Sequence, residues 1–179
     1  TEKETAQPTG RTAHCSPRDQ RGRVTEDAYL RQLCRRVNHD GISAKVKVIK
    51  GDPLTVVKQL GGPRSDLSEY EEVWIVVDHD GRDRHDFLAK CRRLSSKRTV
   101  VHGVVSVPCF EVWLNAHYAP VKNYQNQADA QAHYQELTGL SSKDAKMLPD
   151  GFPWDRGSQA AARCHLPTDS LPETDTQGP

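Results

Sequence analysis

The chain of 179 residues carries 25 lysines and arginines against 24 aspartates and glutamates, which gives a formal net charge of +1. This balance excludes a uniformly basic protein that coats nucleic acid, although it leaves room for local charged patches. The longest apolar run, residues 73–77, is far shorter than the roughly 18–20 residues of a membrane-spanning helix. The first twenty residues hold no apolar stretch typical of a secretory signal. We therefore expect a cytoplasmic protein that does not interact with a membrane.

The two ends of the chain differ in composition from its middle. Residues 1–23 and 164–179 combine proline, glycine, threonine and charged residues without hydrophobic periodicity. Segments of this kind bury too little apolar surface to offset the entropy of an ordered chain. We therefore predict irregular tails at 1–23 and 164–179, on either side of one folded domain at 24–163.

The first part of that domain predicts two helices with a strand between them. Apolar residues at helical spacing favour an amphipathic helix that begins near Thr25 and ends at Gly41. Valines alternating with lysines at 44–48 are typical of a half-buried strand. Asp52 then has the position of an N-cap before a second helix, which Gly61 ends.

The next part predicts two buried strands on either side of a helix. Residues 73–77 are all apolar and three of them are valine, which indicates a strand covered on both faces. Apolar residues at helical spacing over 87–94 favour a third helix. Four valines at 100–105, divided by His102 and Gly103, favour a second buried strand. This alternation of strands and helices predicts an α/β fold with a parallel sheet.

Two aspartates follow the first buried strand. Asp78 and Asp80 come directly after residue 77, at the end of the strand where open parallel sheets bind their ligands. Two carboxylates at this spacing can share a hard divalent cation such as Mg²⁺, which would position a phosphodiester and activate water. The alternative is an ordinary polar turn, because aspartate and glycine are common turn residues.

A basic segment follows the aspartate pair. Residues 82–98 contain seven lysines and arginines and two aspartates. A basic helix beside a cation site suits the phosphate backbone of nucleic acid, so its arginines are candidate nucleic-acid contacts: Arg82, Arg84, Arg92 and Arg93. A solvated helix face has the same composition, and this alternative stays open.

The segment 106–118 combines apolar, acidic and nucleophilic residues. Pro108 predicts the first turn of a helix, so Glu111 would stabilise the helix dipole or face the aspartate pair as a third carboxylate or base. Cys109 is either a nucleophile paired with His117 or a buried structural cysteine. The chain has five cysteines without a C-x-x-C pair, which predicts free thiols in a reducing compartment.

Several of these segments together resemble the RloB-like proteins. The family has a TE-x-x-Y element, a Gly-Asp-Pro-Leu helix entry, a VW-x-V-x-D-x-D strand end and an SNPCFE-x-W-x-x-x-HF helix. The corresponding residues here are 22–29, 51–54, 73–80 and 106–118, in the same order. The Pro-Cys-Phe-Glu-x-Trp match at 108–113 is the most specific of the four.

The resemblance implies a Toprim-like three-layer α/β fold, in which a small, largely parallel sheet of four strands lies between helices. It also implies an Mg²⁺ (or Mn²⁺) site that cuts nucleic acid, whether DNA, RNA or tRNA, in restriction-linked or abortive-infection defence beside a partner ATPase. Asp78 and Asp80 match the paired aspartates of the family. Glu111 and His117 match the acid and the histidine of its last motif.

The chain departs from the family pattern at its first motif. Arg21 stands where Toprim chemistry uses a glutamate, and residues 14–20 replace the apolar strand that should precede it. The first strand is therefore expected to be missing or degenerate, and Glu26 or Glu111 would have to substitute for the lost acid. Two hypotheses follow. The chain is either a metal-dependent nuclease, or a catalytically degenerate subunit that binds nucleic acid or a partner ATPase.

Overall fold

A computed structural model describes residues 25–49, 51–144 and 147–164 of the chain. This part of the chain has an α/β fold with six α-helices and a small parallel sheet of two strands. The elements in chain order are α1 (Thr25–His39), α2 (Pro53–Leu60), β1 (Glu72–Asp78), α3 (His85–Leu94), β2 (Val100–Ser106), α4 (Glu111–Tyr118), α5 (Gln127–Thr138) and α6 (Gly157–Arg163). None of the described helices combines the length and apolarity needed to cross a bilayer.

The first two helices begin where the sequence predicts. Helix α1 starts at Thr25 with acidic residues in its first turn and basic residues in its last, an arrangement that complements the helix dipole. Asp52 caps α2, because its side chain accepts hydrogen bonds from the backbone N–H groups of Leu54 and Thr55 at 3.0 and 3.2 Å. Pro53 occupies the first turn, where no N–H partner is needed.

Strands β1 and β2 form a parallel pair, as predicted. The N–H of Val100 donates to the carbonyl of Glu71 at 2.8 Å, and the N–H of His79 donates to the carbonyl of Ser106 at 2.9 Å. Burial is less complete than the apolar runs suggest. Trp74 is 37% exposed and stacks on the His102 ring, and most of β2 is only half-buried.

The strand predicted at 44–48 is wrong. Residues 42–49 form no strand, although Ala44 and Ile49 are buried and the residues between them alternate in exposure. The backbone of Ala44 instead bonds to a side chain: its carbonyl accepts from the Asn38 amide at 3.0 Å, and its N–H donates to the same amide. The described sheet thus has two strands where the resemblance implies four, and residues 14–20 lie outside the described part.

The described residues divide into two compact units. The first contains Tyr29–Val76 and His85–Val104. Helices α2 and α3 pack together there, and α3 lies directly against β2 at Gly103. A Cβ on Gly103 would be only 2.9 Å from Leu88 Cδ2 and 3.1 Å from Cys91 Sγ. Gly103, which divides the valines of β2, therefore allows α3 to approach the strand closely.

The second unit contains Val77–Arg84 and, among the described residues, 25–28 and 105–164. Helix α4 packs against both α5 and α6. One cluster of buried side chains joins α4 to α5 through Val112 and Ala130, and another joins α4 to the α6 end through Ala116 and Cys164. Cys164, which the composition assigns to a tail, is thus part of a packed core.

Helix α4 begins three residues later than Pro108 predicts. The first backbone bonds of this region are of the i to i−3 type, from Val112 to Cys109 and from Trp113 to Phe110. These bonds form a tight turn that precedes the helix, so Glu111 is its first residue. The backbone N–H of Phe110, just before α4, bonds to the side chain of Asp78, so the N-terminus of α4 lies next to the end of β1.

Candidate carboxylate site

Asp78 ends β1 and lies at the N-terminus of α4. Its carboxylate accepts a hydrogen bond from the backbone N–H of Phe110, the residue that precedes the helix. The other feature of this side chain is an Oδ1 atom that is buried and has no hydrogen-bond partner in the described structure. A buried carboxylate oxygen without a donor is costly, so this atom marks a place where a positive group or a proton is needed.

Three further carboxylates act on Asp78. Burial, followed by the negative charges of Glu26, Glu111 and Asp80, raises the pKa of Asp78 to about 9. Like charges around a buried acid disfavour its ionised form. Within this second unit, Glu26, Glu111 and Asp80 therefore lie near enough to Asp78 for their charges to act on it.

Glu26 and Glu111 lie in the first turns of two different helices, α1 and α4. Both are buried, with 8% and 7% of their surface exposed. A carboxylate oxygen of Glu111 accepts from the Thr25 hydroxyl at 3.2 Å, and the Cys109 thiol also bonds to this carboxylate. Glu111 therefore serves more than the helix dipole, because its charge also acts on Asp78.

Asp80 is held differently from the other acids. Its Oδ2 lies 3.4 Å from Nη2 of Arg84, and its Oδ1 accepts from the side-chain amide of Gln127 at the start of α5. Its backbone has a φ of 53°, followed by 64° at Gly81, so the chain turns sharply after β1. Asp80 remains half-exposed, with 48% of its side chain open to solvent.

The structure places His117 in an aromatic environment. Its Nδ1 lies 2.9 Å from the carbonyl of Trp113, and its ring contacts the rings of Trp113 and Phe152. Burial lowers the pKa of His117, and the charge of Arg163 lowers it further. A catalytic role for His117 stays a prediction of the family motif.

The four candidate arginines do not share one environment. Arg84 is engaged with Asp80, whereas Arg82 is exposed in the same turn. Arg92 and Arg93 are exposed in the last turn of α3, which belongs to the first unit. Their contact with nucleic acid stays a prediction.

Cys109 has the properties of a structural cysteine. It is 1% exposed, and burial together with the neighbouring carboxylate charges of Glu111 and Asp78 raises the pKa of its thiol far above the ordinary range. A nucleophilic cysteine needs the opposite, a thiolate favoured by positive surroundings. The predicted burial of Cys109 is therefore confirmed, and its surroundings favour the structural alternative over the nucleophile.

The donor set suits a hard divalent cation in its chemistry. Carboxylate oxygens are the ligands that Mg²⁺ and Mn²⁺ prefer, and Asp78 supplies one that lacks a hydrogen-bond donor. In the described residues, however, no three His, Cys, Asp or Glu side chains are grouped closely enough to form a finished metal centre. The charges of Asp80 and Glu111 therefore act on Asp78, but the three carboxylates do not converge on one point.

Sequence reasoning missed two residues of this site. Thr25 signals a helix start in the sequence, and nothing indicates that its hydroxyl reaches Glu111. Gln127 follows Asn126, whose side chain caps α5. The start of this helix is therefore detectable in the sequence, but the contact of Gln127 with Asp80 is not. Both contacts join residues far apart in the chain, which only the fold brings together.

Comparison with known protein families supplies the identification. The profile of the RloB-like proteins matches residues 21–165. The chain belongs to the RloB-like family. The match includes the four motifs quoted above as well as α5 and α6, where no family motif had been recognised in the sequence. No curated protein and no solved structure matches the chain significantly.

Proposed function

We propose that this RloB-like protein is a divalent-metal-dependent nuclease of a bacterial phage-defence system, which hydrolyses a phosphodiester at Asp78, Asp80 and Glu111. One observation carries the proposal. Asp78 is half-buried at the end of β1, its buried Oδ1 lacks a hydrogen-bond donor, and three other carboxylates act on it. Such a concentration of negative charge is costly in a folded protein unless it serves a positive ligand.

Each carboxylate of the site has a separate role in this proposal. Asp78 and Asp80 offer carboxylate oxygens to the cation, and Glu111 is the third ligand or the base that accepts a proton from water. Glu26, which is buried beside them, is the substitute for the acid lost at position 21. Bound Mg²⁺ or Mn²⁺ supplies Lewis-acid polarisation of the phosphate and a more acidic water.

Binding of the nucleic acid is assigned to the exposed arginines. Arg82 lies two residues after Asp80, and its side chain is open to solvent. Arg92 and Arg93 are exposed in the last turn of α3 and are further candidate phosphate contacts. Contacts of this kind recognise phosphates without reading the sequence. The substrate class is DNA or RNA, tRNA included, and a partner ATPase of the same defence system is the proposed regulator.

The test is a cleavage assay on labelled tRNA, single-stranded DNA and double-stranded DNA with Mg²⁺ or Mn²⁺. We expect cleavage by the wild-type chain, a loss of at least about 100-fold in D78N, and full activity in D150N. Asp150 is an exposed aspartate in a turn, so D150N removes the same charge elsewhere. Circular dichroism of D78N checks that the variant is folded. Cleavage that survives in folded D78N contradicts the proposed site.

A second candidate function is supported by the contacts of Asp80. Both of its carboxylate oxygens are bonded, to Arg84 and to Gln127, and the first-motif acid is replaced by Arg21. A catalytically degenerate subunit that binds nucleic acid or a partner ATPase fits these features. Tight binding of nucleic acid by the wild-type chain, without cleavage under either metal, would support this candidate over the nuclease.

A further inference from the structure

Arg84 joins the two candidate metal-binding aspartates. Its Nε donates to the backbone carbonyl of Asp78 at 3.2 Å, and its Nη2 lies 3.4 Å from the Oδ2 of Asp80. Only 11% of its side chain is exposed. A guanidinium held by two acceptors in a nearly buried position differs from a surface arginine that is free to contact a phosphate.

The turn after β1 creates this arrangement. Asp80 and Gly81 both have positive φ values, and the N–H of Arg82 bonds back to the carbonyl of His79 at 3.0 Å. The chain therefore reverses within a few residues, which brings the side chain of Arg84 beside Asp80, four positions earlier. The pairing is thus fixed by the local backbone rather than by a distant element.

We propose that Arg84 is an internal counter-cation for Asp80, and that it must release this carboxylate before a divalent cation can bind there. The inference rests on the proposed function, because it concerns the same aspartates. A guanidinium beside Asp80 occupies one of its oxygens and repels a second positive charge. Gln127 is neutral and holds the other oxygen of Asp80, so it orients the carboxylate without opposing a cation.

The experiment measures Mn²⁺ binding by isothermal titration calorimetry to the full chain, without substrate. Wild type is compared with R84Q and with R64Q, which removes an arginine from an exposed turn of the other unit. We expect the Kd of R84Q for Mn²⁺ to be at least about threefold lower than that of wild type, because the positive charge that opposes the cation is gone. R64Q should bind Mn²⁺ as wild type does.

A second measurement uses the metal-free protein. Urea unfolding in EDTA of wild type, R84Q, D80N and the double variant gives the coupling between Arg84 and Asp80. We expect each single variant to shift the midpoint and the double variant to shift it by less than their sum. If R84Q does not fold, R84M replaces it in both measurements, since methionine also removes the charge and keeps a long unbranched side chain.

The outcomes separate the two proposals. Equal or weaker Mn²⁺ binding by R84Q, with measurable binding by wild type, overturns the counter-cation role and leaves the nuclease proposal intact. Tighter binding by R84Q, together with no cleavage by any form, supports the counter-cation role and overturns the nuclease proposal. Additive shifts in the unfolding cycle, or no Mn²⁺ binding by any form, overturn the counter-cation role.

Discussion

The hydroxyl of Thr25 donates to a carboxylate oxygen of Glu111 at 3.2 Å, which joins the first residues of α1 and α4 across 86 positions of sequence. Both side chains are buried, so water does not readily replace the donor. This bond connects an N-terminal helix to the helix that carries the most specific family motif.

Loss of this hydroxyl is expected to destabilise the protein. T25V keeps the shape of the side chain and removes the hydroxyl donor from the buried Glu111 carboxylate, so the free energy of unfolding should fall by about 1–3 kcal/mol. Urea denaturation followed by circular dichroism measures the change. T25S is the matched control, because it retains the hydroxyl. If T25V is as stable as T25S, the bond contributes nothing to stability.

Stability should fall as pH rises because of Asp78. Its pKa is about 9 in the folded chain, against an ordinary value of 3.8, so the unfolded chain loses this proton first. The stability that protonated Asp78 contributes is fully present below pH 3.8 and is lost between that value and about pH 9. The free energy of unfolding falls there by at most about 1.4 kcal/mol per pH unit.

Comparison of D78N with wild type isolates this effect. Urea unfolding in EDTA at pH 5, 7 and 9 should show D78N gaining stability relative to wild type as pH rises, since asparagine does not ionise. D150N, altered at an exposed turn, should follow the wild-type profile. An unchanged difference between D78N and wild type across the three pH values would show that Asp78 is already ionised at pH 5.

The close approach of α3 to β2 predicts a sensitive glycine. In G103A the new Cβ would lie 2.9 Å from Leu88 Cδ2 and 3.1 Å from Cys91 Sγ, so these buried side chains or the helix that carries them must shift. Overpacking of this kind costs about 1–3 kcal/mol. Thermal unfolding should therefore show a lower Tm for G103A than for G157A. Gly157, at the start of α6, has no atom near its Cβ position within 4 Å, so G157A should be neutral or slightly stabilising.

The cysteines should react with alkylating reagents at different rates. Burial raises the pKa of Cys91 to about 12 and that of Cys164 to about 11, and Cys109 is raised further. Cys34 is only half-buried. Iodoacetamide labelling at pH 8, read by peptide mass spectrometry, should modify Cys34 at least about tenfold faster than the three buried thiols, because thiolate content and access set the rate.

Rapid labelling of Cys109 in the folded chain is the result that would contradict this expectation. It would show a reactive thiolate beside Glu111 and would revive the nucleophilic interpretation of that cysteine. Labelling in urea provides the control, since all buried thiols should then react alike.

Local signals in the sequence were sufficient to predict the first three helices and both strands. The cap at Asp52 and the apolar run at 73–77 specify their elements without help from the rest of the fold. The segment at 42–49 shows the limit of such patterns. Its alternation matches its exposure, but strand formation depends on a neighbouring backbone, and the Asn38 side chain takes that place at Ala44.

The sequence indicates the acidic residues of the candidate site, but it does not indicate which side chains contact them. The four acids lie at the ends of elements that the sequence predicts: Asp78 and Asp80 at the end of a strand, Glu26 and Glu111 at the starts of two helices. The contacts that set their charge balance come from Thr25, Arg84 and Gln127. Donors of this kind have no periodicity, and a single sequence does not reveal which carboxylate they meet.

The left-handed backbone at Asp80 bears on why an acid stands there. A φ of 53° is adopted most easily by glycine and, among the other residues, by asparagine and aspartate. Glycine or asparagine would make the same chain reversal without a charge. The reversal alone therefore does not call for a carboxylate at position 80, and the contacts of that carboxylate with Arg84 and Gln127 are the better explanation for its presence.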